Sequence, residues 1–131
     1  MARVITLDAG VLIAMLDGKD SHHDWATRFL VDHCDADFVM PALTYAECLV
    51  RPTQKNKADK FLAAIAGLGL EIVDATAASA MQIALIRATT KLRMPDAVVV
   101  ATSVMKGSAL ATTDQTLAKA AAQQGLAVFV P

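Results

Sequence analysis

Cysteine is nearly absent from this chain of 131 residues. Only Cys34 and Cys48 occur, and neither their number nor their spacing makes a metal-ligand cluster or a disulfide framework. Both are expected to be reduced, buried thiols. No apolar run approaches the length of a membrane span. The apolar start is interrupted at Asp8 and lacks a convincing cleavage site, so no secretory leader is expected and a cytoplasmic location follows by default. No Gly-x-Gly-x-x-Gly follows any expected strand, which argues against dinucleotide binding. Repeats, linkers and low-complexity stretches are missing too. Charge is sparse, with 19% charged residues and a formal net charge of -1, so bulk charge predicts no polyanion partner.

What is abundant is apolar mass. Hydrophobic residues make up 55% of the chain, which suits a buried sheet covered by helices and an apolar oligomer surface besides. The few charges are unevenly spread. Residues 1–50 carry three bases against eight acids, whereas residues 51–106 carry eight bases (Arg51, Lys55, Lys57, Lys60, Arg87, Lys91, Arg93, Lys106) against four acids. Ordinary solvated helix faces would account for most of these charges. A basic surface beside an acidic pocket would equally suit a phosphate-rich substrate.

Val4, Ile5 and Leu7 read as a strand buried on both faces of a parallel sheet. Residues 11–16 then form a short helix that stops at Asp17-Gly18. Ser21 offers the N-cap of a second helix to about His33, with Trp25, Phe29 and Leu30 at helical spacing. His22 and His23 are adjacent, point in different directions, and read as first-turn surface residues rather than joint ligands. Residues 37–41 make a second strand, and Pro41 opens a mostly apolar helix over 42–50. Arg51-Pro52 is expected to break the chain before a helix over 55–66 with Phe61, Leu62 and Ile65 inward. Gly67 and Gly69 end it, residues 70–73 are a third strand, and residues 75–90 a long helix. Its core positions include Ala80, Ile83, Ala84 and Ile86, with Met81 as a filler. Pro95 at the first helical position opens a deeply packed helix closed by Gly107. Residues 108–112, a helix over 117–124 and residues 126–130 complete the pattern. Five short apolar strands separated by helices give an α/β fold: a three-layer α/β/α sandwich on a five-stranded parallel sheet with right-handed crossovers, a single domain over residues 1–131.

Four acids stand out within that frame. Asp8 and Asp114 lie just past strand ends, where ligands bind in such sheets. Capping of the following helix explains Asp8 equally well. Asp96 lies in the first turn of its helix, where the helix dipole favours a negative charge and suffices to explain it. Glu47 is the only charge in its helix before Arg51, well past the first turn, and capping does not explain it.

The order and context of these acids resemble the PIN-domain ribonucleases, in particular the bacterial VapC-type toxins. The matching pieces are Leu7-Asp8-Ala9-Gly10-Val11-Leu12-Ile13, Tyr45-Ala46-Glu47, Met94-Pro95-Asp96-Ala97-Val98-Val99-Val100-Ala101-Thr102 and Leu110-Ala111-Thr112-Thr113-Asp114. His22-His23-Asp24-Trp25-Ala26 is similar to the family's second-helix opening, so the likeness spans the whole chain. It implies a sheet ordered 3-2-1-4-5, with Asp8 and Asp114 flanking one crevice and Asp96 and Glu47 reaching into it. Many relatives carry a further acidic or polar residue shortly after the fourth acid. Here Gln115-Thr116-Leu117 follows, which leaves a second ion less supported than a first.

Two like charges ~4 Å apart repel by about 4 kcal/mol at an effective dielectric of ~20. Four ionised carboxylates in one crevice therefore require protons or a cation. An all-oxygen donor set selects Mg²⁺, with Mn²⁺ as a substitute, as one ion or two. The resemblance assigns Asp8 and Asp96 as direct metal ligands, Asp114 as a further or water-mediated one, and Glu47 as a ligand or an orienter of the attacking water. Thr112 supports the site through its hydroxyl. The expected activity is metal-dependent hydrolysis of RNA phosphodiesters by the toxin of a toxin–antitoxin pair, a homodimer restrained by a small antitoxin, with no membrane association. The alternatives are a catalytically silent PIN-like binding module and, on a similar sheet, a phosphoreceiver or phosphatase. Ala9-Gly10 after Asp8 disfavours the last, which needs paired acids or an Asp-x-Asp nucleophile.

Overall fold

The computed structural model describes residues 3–131. In chain order its elements are β1 (Val4–Leu7), α1 (Ala9–Leu16), α2 (His23–Asp32), β2 (Asp37–Pro41), α3 (Ala42–Gln54), α4 (Ala58–Ile65), β3 (Glu71–Val73), α5 (Ala77–Thr89), α6 (Met94–Lys106), β4 (Ala109–Ala111), α7 (Gln115–Gln123) and β5 (Val128–Phe129). The five strands pair in parallel in the order β3-β2-β1-β4-β5, as the resemblance implied. β1 therefore lies at the point where the chain reverses its direction of travel across the sheet. Its Thr6 is in register with Val39 on one side and Leu110 on the other.

Strand alternation sorts the core into two layers. Ile5, Leu7, Phe38, Met40, Ala109 and Ala111 face α1 to α4, against Leu12, Phe29, Leu30, Cys48, Phe61 and Ile65. Leu110 faces the other way, against Ile86 of α5, Val99 and Val100 of α6 and Leu117 of α7. Helices thus cover both faces, and the strands read as near-continuous apolar runs for that reason. Residues Ala97 to Ser103 of α6 are all buried, and Gly107 closes the helix in the left-handed region at φ 60°. Thr6 and Ser108, polar and buried, satisfy each other through hydroxyls 2.7 Å apart. Among the described residues no helix is long and apolar enough to cross a membrane.

Several local expectations need correction. Arg51-Pro52 does not break the chain: α3 runs on to Gln54 with Pro52 inside it. Pro52 has no N–H to give there, so α3 runs one backbone bond short in its last turn. That turn is closed by Lys55 N–H to the Arg51 carbonyl at 3.2 Å and by Lys57 N–H to the Pro52 carbonyl at 2.7 Å. Asn56, at φ 56°, then turns the chain, so α4 begins three residues later than the periodicity suggests. Pro41 ends β2 and caps α3 instead of opening it, Met94 rather than Pro95 is the first residue of α6, and His22 rather than Ser21 precedes α2. On α4 Leu62 is exposed; on α5 Ala80 and Ala84 are exposed and Met81, expected as core, is 77% exposed, because α5 buries only the stripe that holds Ile86. Cys48 is buried as expected but Cys34 is exposed.

Candidate functional site

The site is assembled at the carboxyl ends of β1 and β4. Asp8 leaves β1 with its backbone still paired, its N–H donating to the Ala111 carbonyl at 3.0 Å. One carboxylate oxygen accepts from the Ala9 N–H at 2.9 Å and caps α1. The other accepts from the Thr112 hydroxyl at 2.8 Å. Asp8 is therefore both a helix cap and a crevice acid, each oxygen serving one purpose.

Thr112, fully buried at the end of β4, is a relay as well as a donor. Its hydroxyl oxygen accepts from the Asp114 N–H at 3.0 Å while its proton goes to Asp8. A single hydroxyl thereby ties the loop of the first acid to the loop of the fourth. Asp114 caps α7, one oxygen accepting from the N–H groups of Thr116 at 2.9 Å and Leu117 at 3.1 Å. Asp96 sits in the first turn of α6, with the exposed Arg93 guanidinium 3.9 Å away. Glu47 lies one turn beyond Thr44 on α3. It is exposed, and Thr44 is fully buried. The Thr44 hydroxyl is the one buried side-chain polar atom without a hydrogen-bond partner among the described residues.

Electrostatics bind the four acids into one group. Burial raises the Asp8 carboxyl above its ordinary value, Thr112 and Ala9 oppose that, and Asp96 and Asp114 raise it further. Desolvation by the surrounding protein likewise raises Glu47, with Asp8 and Asp96 adding to it and Arg93 opposing. Asp96 is raised by burial and by Asp114 against the pull of Arg93. Each of these three acids is thus in electrostatic reach of at least one other. The neighbouring Cys48 thiol, its Sγ 3.9 Å from the Ala9 carbonyl, is pushed up to about 12 by burial and by Glu47 and Asp8. It stays protonated and is no nucleophile.

The donors are oxygens only, and the charge they share is uncompensated apart from Arg93, which suits a hard cation. As the side chains lie, no group of three or more His, Cys, Asp or Glu among the described residues is arranged to hold a metal ion. The set fits such an ion in chemistry; closing around one would take rotation of the carboxylates. Sequence reasoning missed the role of Gly10. A Cβ there would meet the Thr113 hydroxyl, which would have to turn away, so the first turn of α1 and the loop after β4 touch at this point. The signal was the glycine itself, one residue inside a helix.

Acids at the carboxyl ends of the neighbouring strands β1 and β4 of a 3-2-1-4-5 parallel sheet define a class of α/β proteins built around that switch point. The PIN domain family model matches residues 5–123, and the chain belongs to that family. No curated protein sequence matches it significantly. Among solved structures it is similar to FitAcB from Neisseria gonorrhoeae, at 22% identity over 95% of this chain and 96% of that one, TM-score 0.73. It is similar to the VapC20 toxin of Mycobacterium tuberculosis, described as cleaving the sarcin-ricin loop, at 16% identity over 88% and 94%, TM-score 0.74. VapBC2 from Rickettsia felis, bound to a DNA fragment of its promoter, matches at 12% identity over 97% and 98%, TM-score 0.74. At these identities the likeness is one of fold.

Proposed function

We propose that the protein is a divalent-metal-dependent endoribonuclease, the toxin of a toxin–antitoxin pair. The observation that carries this reading is that Asp8 and Asp114 stand at neighbouring strand ends of a PIN-domain fold, tied by the Thr112 hydroxyl, with burial raising Asp8, Glu47 and Asp96 and with Asp114 adding to Asp8 and Asp96. Such a concentration of like charge costs stability unless it serves to hold a cation. Asp8 and Asp96 would hold Mg²⁺ or Mn²⁺, with Asp114 and Glu47 completing or orienting the shell. When bound, the ion supplies orientation of the phosphodiester and a lowered pKa for its water. Thr112 keeps the Asp8 carboxylate aimed, Asp114 is held at one oxygen by the α7 backbone, and the exposed Glu47 would take a proton from the attacking water.

The toxin solved with its promoter DNA and partner, and the one described as an RNA-cleaving toxin, support both the pairing with an antitoxin and the RNA substrate. Exposed Met81 and Leu85 on α5 are compatible with a homodimer. The competing reading, a PIN fold kept as a silent binding module, draws on the absence of a ready-made chelating group among the described residues.

Incubation of the purified chain with structured RNA decides between them. Cleavage is expected with Mg²⁺ or Mn²⁺ and not with chelator, and Asp8→Asn should reduce the rate by more than ~100-fold, beyond the effect of losing an outer-shell partner. Equal cleavage by the variant refutes the assignment, and no cleavage by the wild type favours the silent module.

A further inference from the structure

A groove of about 820 Å³ runs from Glu47 along α1 and the corner between α3 and α4. Its floor is apolar, with Leu16, Cys48 and Phe61, and its rim is mainly basic, with Asp17 and Glu47 the two acids on it. Arg51, Lys55, Lys57, Lys60 and Lys19 all line it and all are exposed. Among the described residues none of the five is in an ion pair; the two pairs found are Arg93 with Asp96 and Lys106 with Glu71. The corner explains the clustering. Pro52 and the left-handed Asn56 fold the end of α3 back so that four cations spread over ten residues meet at one mouth.

We propose that this groove is the track of the nucleic-acid strand, its rim holding successive phosphates and its floor the sugar and base faces, with Glu47 where the strand enters the acid crevice. The inference rests on the ribonuclease reading above and adds to it which surface grips the substrate. A polyanion approaching four carboxylates is repelled, and the adjoining row of unpaired cations supplies the compensating field. The same structure divides the basic half of the chain. Arg87 and Lys91 are not on the groove, and Arg93 is engaged with Asp96.

Binding of a fluorescent 20-nucleotide single-stranded RNA to the full chain in chelator, followed by anisotropy across a salt series, tests it. The variant Lys55→Gln/Lys57→Gln/Lys60→Gln should bind ~10-fold or more weakly at low salt and show a salt slope shallower by about 2, at ~0.7 for each single-strand phosphate contact. Arg87→Gln/Lys91→Gln should match the wild type in both, and Lys55→Arg/Lys57→Arg/Lys60→Arg should restore the slope. In the Mg²⁺-dependent cleavage assay the glutamine variant should raise KM with kcat little changed. Wild-type cleavage together with unchanged slope and KM in that variant overturns the groove assignment alone. Loss of binding to an acidic amphipathic peptide in the same variant, with RNA binding intact, also overturns it and gives the groove to a protein segment. A wild type that neither binds the RNA nor cleaves with Mg²⁺ refutes the ribonuclease reading itself.

Discussion

α1, α5 and α7 each start with a capping side chain soon after a strand, and α5 and α1 differ in what the cap does besides. α5 begins at Thr76, whose hydroxyl accepts from the Ser79 N–H at 3.1 Å while the Ser79 hydroxyl accepts from the Thr76 N–H at 2.8 Å. This capping box satisfies itself, with Thr76 exposed and Ser79 buried. α1 begins at Asp8, which caps with one oxygen and sends the other to Thr112 across to β4. A hydroxyl would have capped α1 as well. The chain instead places a carboxylate there, under burial and beside two other acids that both raise it. Capping alone says nothing about function; the second oxygen, and the energetic cost of the charge, mark the site.

The comparison breaks first at Thr112. Thr112→Val removes the proton given to Asp8 and the acceptor used by Asp114, and should lower Mg²⁺-dependent cleavage by ~10–100-fold. Thr112→Ser should restore most of it, whereas a purely structural role would show as lost stability without that rescue. A smaller effect sharpens the electrostatic half. Asp8, Glu47 and Asp96 hold protons more tightly in the folded chain than in the unfolded one. Their contribution to stability is therefore fully present below the unfolded values, 3.8 for Asp and 4.5 for Glu, and is lost as pH rises through the raised folded values. Asp96→Asn should accordingly raise the thermal midpoint of the metal-free chain at pH 7 by roughly 4 °C for each kcal/mol relieved, and leave it nearly unchanged at pH 3. Scanning calorimetry at the two pH values reads the difference. Least affected is the capping box: Thr76→Ala should cost about 1 kcal/mol in urea unfolding and leave cleavage unchanged.

The fold was largely legible because each buried strand announces itself. Val4 to Leu7 and residues 109–111 are short apolar runs bounded by turn residues, and Gly107 and Gly125 mark their helix ends with positive φ. What misled was inference of burial from neighbours. α3 reads as apolar nearly all round, yet Leu43, Glu47 and Val50 are exposed, since hydrophobicity shows which residues can be buried and not how much protein lies over them. In α5 the periodic stripe was right at Ile86 and wrong at Ala80 and Ala84, where small residues sit equally well at the surface. The four acids were legible as a set only through their order. Capping accounts for Asp8 and Asp114 and the helix dipole for Asp96, one at a time, and what joins Asp8 to Asp114, the Thr112 hydroxyl, lies 104 residues from Asp8 in the chain. Local pattern cannot express a contact of that range.

At Gly10 the first turn of α1 meets the loop that runs from Thr112 to Asp114. With hydrogen in place of a methyl group, the helix start lies against the Thr113 hydroxyl without displacing it, and an alanine here would make that side chain turn within the loop. The chain thus keeps its two acid-bearing segments in touch with the smallest residue it has.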